Sequence, residues 1–171
     1  MKIKQMFLGL LFLPLLIMFG CNNYASPEEA LENVKEPSWE MQELIDTRVL
    51  ESEDYAYVFF YSELDNAKDT LVISELEKGN SGWKHLKMVG LSIKEGNANG
   101  STSVGGVEDG IYYGLATNDV ASVKLGYNDA EIIPLTEKNM KAWVFYNPTF
   151  EDLEKDLKFN NANGDLLTKY D

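Results

Sequence analysis

The sequence predicts a mainly-β domain, a two-layer β-sandwich with one short N-terminal helix. Three observations carry that expectation. Apolar residues recur with period two through most of the chain, the period of a strand with one face inward. About ten such runs follow one another at regular spacing, separated by Gly, Asn, Asp and Ser. A helical stripe occurs once, near the start, where Ser26-Pro27-Glu28-Glu29 precedes Ala30, Leu31 and Val34.

The helix is expected to begin at Ser26 as N-cap, with Pro27 at its first position and Glu28 and Glu29 at its positive end. Pro37 should stop it. Trp39 to Ile45 fits either a further helical turn or two or the lead into a strand. Tyr55-Ala56-Tyr57-Val58-Phe59-Phe60-Tyr61 has aromatics on one face and apolar residues on the other, so it reads as a central strand. Thr70 to Leu76 and Trp83 to Ile93 are the next strands, joined by a turn at Lys78-Gly79-Asn80-Ser81-Gly82, with a bulge expected at Gly90. Glu95 to Gly106 is rich in glycine and almost devoid of apolar residues, a flexible loop between two halves. Strands follow at Ile111–Ala116, Ala121–Leu125, Ala130–Ile133 and Met140–Tyr146. A closing hairpin is expected from Asp156-Leu157-Lys158-Phe159 and Leu166 to Tyr170 about Asn163-Gly164, with both turn positions at positive φ.

Charge and composition bound the function. The chain has 171 residues and a formal net charge of −13, and the two lysines of its first residues make the remainder more acidic still. Such a body repels phosphate backbones, so nucleic acid is not an expected partner. It also repels anionic headgroups and should stand off a bilayer. The one cysteine, Cys21, lies at the start, so residues beyond it can form no disulfide, cysteine-based zinc site or thiol nucleophile.

The first residues read as a targeting signal. Lys2 and Lys4 make a basic start, Met6 to Phe19 is apolar but short for a membrane span, and Gly20-Cys21 and a polar run follow. Ile17-Met18-Phe19-Gly20-Cys21 resembles the lipobox of bacterial lipoproteins. The resemblance implies a diacylglyceryl group on the Cys21 sulfur and cleavage between Gly20 and Cys21. Met18 stands where the family prefers Leu, and Phe19 is bulkier than usual. The implied organisation is a signal peptide over 1–20, a lipidated tether over 21–26 and a single β-rich domain over 27–171. The implied location is the extracytoplasmic face of the cell membrane, held by fatty-acyl chains on Cys21. Gly114 to Tyr170, with its Val-Lys-Leu strand, the aromatic strand Trp143 to Pro148 and the closing Asn163-Gly164-Asp165-Leu166-Leu167, also resembles uncharacterised secreted proteins and lipoproteins of Gram-positive bacteria. That resemblance implies an Ig-like β-sandwich and names no activity.

Candidate chemistry is sparse. His85 is the one histidine, sharing a strand face with Trp83 and Lys87 by alternation, and no serine lies in a Gly-x-Ser-x-Gly elbow. No metal site, catalytic residue or cofactor is expected. Asp65–Asp69 and Asn161–Asp165 faintly resemble calcium loops but lack the distal bidentate glutamate. Glu108-Asp109 and Asp152 with Glu154 read as solvated surface, and Arg48 as a structural ion-pair partner. Trp39, Trp83 and Trp143 fit core packing better than a carbohydrate or peptide groove. The expected function is a non-catalytic binding or accessory module with an envelope protein or polymer as partner. The alternative is a carboxylate-dependent hydrolase acting on cell-wall or extracellular polymer.

Overall fold

The computed structural model describes residues 24–34, 39–52, 54–62, 70–93, 110–136 and 139–167. The leader, Gly20, Cys21, Pro37 and the 95–106 loop lie outside the described residues. The fold is mainly β, with three antiparallel sheets. Helix α1 (Pro27–Glu32) is capped as its sequence dictates: the Ser26 hydroxyl accepts from the Glu29 amide, and Pro27 sits in the first turn. The first sheet is a meander of β1 (Glu43–Val49), β2 (Tyr55–Ser62), β3 (Thr70–Gly79) and β4 (Gly82–Ser92) in sequential order. The 39–45 segment therefore leads into a strand.

The second half contains β5 (Ile111–Thr117), β6 (Ser122–Leu125), β7 (Asn128–Asp129), β8 (Glu131–Pro134), β9 (Met140–Tyr146), β10 (Leu157–Asn160) and β11 (Leu166–Leu167). The second sheet has the order β5-β9-β8, and the third β11-β10-β6-β7. A second helical turn, α2 (Phe150–Leu153), adds to the single helix expected. The sequence signal for it is Thr149-x-x-Asp152, a capping box with both reciprocal bonds made.

Alternation sorts the side chains into three cores. Tyr57, Phe59 and Tyr61 of β2 and Leu71 and Ile73 of β3 pack against Tyr113, Leu115, Ile133 and Val144 of the second sheet. Ala56, Val58, Phe60, Val72 and Leu76, on the opposite face of the first sheet, are covered by α1 and Trp83. On the far side of the second sheet, Trp143 and Phe145 meet Val123 and Leu125 of the third. The layers run α1, first sheet, second sheet, third sheet. Strand β2 is buried on both faces, which explains why both of its residue sets are apolar.

Three local expectations need correction. Gly90 is not at a bulge; it pairs in register with Val72, and a Cβ there would lie 2.1 Å from the Trp39 ring. The glycine is needed because the Trp39 ring occupies the space a Cβ would take. The bulge of β4 is at Leu86, between the pairs Leu76↔His85 and Glu75↔Lys87. It turns Lys87 to the sheet face opposite Trp83 and His85, so the three do not share a face. Among the described residues of the closing hairpin only Gly164 has positive φ (86°). Asn161 organises that turn: its Oδ1 accepts from the Asn163 and Asp165 amides, and its carbonyl from Gly164.

Candidate functional site

Arg48, Tyr57, Glu75 and Lys87 form one transverse row across the four strands of the first sheet. Two bulges create it. The Leu86 bulge delivers Lys87, and an irregularity between Leu44 and Asp46 in β1 turns Asp46 and Arg48 to the same face. Lys87 Nζ lies 3.3 Å from Glu75 Oε2, and Arg48 Nη2 lies 2.7 Å from Asp46 Oδ2. The row closes one end of the core between the first two sheets. From the second sheet, Glu131 Oε1 meets Arg48 Nε at 2.6 Å, and the Tyr146 ring packs 5.0 Å from that of Tyr57.

Burial, and after it the Glu75 carboxylate, push the Tyr57 phenol well above the ordinary tyrosine range. Burial raises Tyr146 as well; the Glu131 charge and its hydrogen bond add to this and Arg48 opposes it. Gly110 is required here. Its φ is +74°, and a Cβ would lie 3.2 Å from the Tyr57 hydroxyl.

Tyr146 and Glu131 also form the inner wall of a groove of about 560 Å³. Its outer wall is the β6–β7 hairpin, with Tyr127, Asn128 and Asp129, and its end is Asn147, Pro148 and Asp152. Strand β9 runs past its last β8 pair, Val144↔Glu131, so Phe145 and Tyr146 reach the groove beyond the end of β8. Asn147 takes positive φ (48°) and, with Pro148, turns the chain out of the sheet into α2.

Tyr127 is fully exposed, at 102% of its reference area. It stands on a hairpin tip where Gly126 has φ +61° and a Cβ would lie 3.1 Å from Lys155 Cγ. On its other side lies a second groove, of about 490 Å³, lined by Glu154, Lys155, Asp156 and Lys158. The tip is braced: Asn128 Nδ2 donates to Asp152 Oδ1 at 3.0 Å, and Asp152 also caps α2 through Thr149. Those hydrogen bonds from Thr149, side chain first and then backbone, hold the Asp152 carboxyl below the ordinary range. Phe150, in the same short helix, is 79% exposed.

The residues singled out in the sequence fall elsewhere for the most part. Trp83 and Trp143 are buried and Trp39 is half-buried, packed against the α1-side core. His85 is half-buried on β4. Arg48 forms ion pairs, and Asp152 is a helix cap that also lines the groove. Asn161–Asp165 is a turn in which the Asn161 and Asp165 side chains bond each other and Asn161 accepts from the turn's own amides. Residues 65–69 and Glu108-Asp109 lie outside the described residues. Among the described residues, no group of three or more His, Cys, Asp and Glu could hold a metal ion. Sequence reasoning missed Tyr127. Its signal was an aromatic placed in Gly126-Tyr127-Asn128-Asp129, a turn composition with no structural need for a ring. Comparison with protein-family models, with characterised proteins and with solved structures finds no match to this chain.

Proposed function

We propose that the chain is a lipid-anchored, extracytoplasmic binding module of the cell envelope without catalytic activity, and that the groove beside Tyr127 is its binding surface. The observation that carries this reading is Tyr127 itself: a whole aromatic ring in solvent, on a hairpin tip braced to α2, beside a groove of ligand size. A fully exposed tyrosine contributes nothing to folding through burial, whereas tyrosine is among the residues that dominate binding surfaces. The anchor rests on the lipobox-like Met18-Phe19-Gly20-Cys21 and the single domain on cores that share their sheets. We further read the first two sheets as a two-layer sandwich of the Ig-like kind. Their shared core supports the two layers, while the sequential order of β1 to β4 is simpler than a Greek key.

The test is cosedimentation of the full chain with isolated envelope polymer and with membrane vesicles. Tyr127→Ala should weaken retention on its target about tenfold, the effect of one dominant contact. Equal retention of wild type and variant refutes the groove as the binding surface. The hydrolase reading draws on one observation, that Asp129, Glu131 and Asp152 share the groove. Against it, Asp152 is shifted the wrong way for a general acid, and all three carboxylates are engaged by neighbours. Release of new reducing ends from wall polymer, abolished in Glu131→Gln, would establish it instead.

A further inference from the structure

The ligand class follows from how the groove spends its charges. Asp129 Oδ1 is paired with Lys124 Nζ at 3.1 Å, and Glu131 Oε1 with Arg48 Nε at 2.6 Å. Asp152 accepts from Thr149 and from Asn128. Each carboxylate is thus balanced by a cation or fixed by hydrogen bonds. The groove presents directed acceptor oxygens at Asp129 and Glu131 within surroundings that keep a net negative charge, since Arg48 is shared with Asp46 and Asp152 is held by neutral donors. At Asp129 and Glu131 a cationic peptide would have to compete with Lys124 and Arg48 for its partners. A hydroxyl-bearing ligand would not, because a carboxylate oxygen in an ion pair retains lone pairs for O–H donors.

The other wall supplies the complement. Tyr127 offers an unobstructed ring face and edge, on a tip tied to α2 by the bond from Asn128 to Asp152. Asn147, at the end of the groove, carries a side-chain amide, which both donates and accepts. A flat apolar surface beside paired carboxylates and amides matches a pyranose ring, which has an apolar C–H face and a rim of hydroxyls.

We infer that the groove between Tyr127 and Asn147 takes a neutral saccharide segment, its ring stacked on Tyr127 and its hydroxyls bound to the paired carboxylates. This rests on the binding reading above and names the ligand class of that same surface.

The experiment is titration of the full chain with a neutral N-acetylglucosamine tetramer and, separately, with oligolysine, by calorimetry and by heteronuclear NMR of the Tyr127 and Asn147 amides. The tetramer should bind with little dependence on salt. Tyr127→Ala should weaken it about tenfold and Tyr127→Phe less than threefold, because the ring rather than the hydroxyl makes the contact. Circular dichroism of each variant confirms folding; Tyr127 is fully exposed, so neither substitution disturbs a core. Salt-sensitive binding of oligolysine that depends on Tyr127, with no response to the tetramer, overturns the saccharide inference and leaves the groove as a binding surface. Failure of both probes to shift either amide overturns the inference and removes the support for the groove together. Tetramer binding that is unchanged in Tyr127→Ala overturns the stacking geometry.

Discussion

Replacing Gly114 with alanine should cost the fold about 2–3 kcal/mol, although the change adds a single methyl group. Gly114 lies in β5 opposite Trp143 of β9, and the indole lies across it. A Cβ would come within 2.3 Å of Trp143 Cζ2 and 2.6 Å of Cε2, distances that no real side chain tolerates. The indole has nowhere to go: Trp143 is 1% exposed and packed edge-on against Tyr112, Phe145 and Phe159. Forcing an extra carbon into such a core costs about 1–3 kcal/mol. A displaced indole also loses its Nε1–H bond to the Leu115 carbonyl at 3.2 Å, worth about 1 kcal/mol. The better strand propensity of alanine returns about 0.5–1 kcal/mol. The control is Gly79→Ala, where the nearest contact is an ordinary 3.8 Å and the change should be within about 0.5 kcal/mol. Urea unfolding followed by indole fluorescence reads both; the Gly114 variant should show a lower midpoint at unchanged m. A midpoint equal to wild type, with an unchanged fluorescence maximum, refutes the packing argument.

Two further outcomes are expected. Among the nine tyrosines, Tyr57 and Tyr146 should stay protonated well above the ordinary tyrosine range while the chain is folded, read as tyrosinate absorbance against pH. Their folded pKa values lie above the unfolded value of about 10, so the stability they contribute is fully present below that pH and is lost as pH rises beyond it; a tyrosinate titration complete while the chain remains folded would contradict this. Replacing Cys21 with alanine should abolish detergent partitioning and the acyl mass on the N-terminal peptide, and a wild-type chain whose intact mass carries no acyl group refutes the anchor.

What the sequence revealed and what it concealed follow physical lines. Strand positions were legible because burial imposes period two, and β2 stood out because both of its faces are covered. The N-cap at Ser26 was legible because it is local chemistry. The transverse row was not, because it depends on two bulges. Each inserts one residue and exchanges the faces of everything beyond it, so strict alternation grouped Lys87 with Trp83 instead of with Glu75. Gly90 and Gly114 look alike as strand glycines, and only the fold reveals that a tryptophan lies over each. The groove was hidden for a related reason. Tyr127, Glu131, Tyr146 and Asp152 come from separate elements, and only the third sheet folding back on the second brings them together.

The layer order also gives the proposed anchor and the proposed groove a spatial relation. Only Asn22 and Asn23 separate Cys21 from Tyr24, and Tyr24 bridges to Trp83 on the α1 side of the first sheet. Tyr127 belongs to the third sheet, on the other side of the second. Two sheet-to-sheet spacings of about 10 Å therefore lie between the layer that receives the tether and the layer that carries the exposed ring. With lipid on Cys21, a tether this short would hold the Tyr24 edge of the first sheet close to the bilayer. A net charge of −13 would then oppose any tilt that lays the body against anionic headgroups.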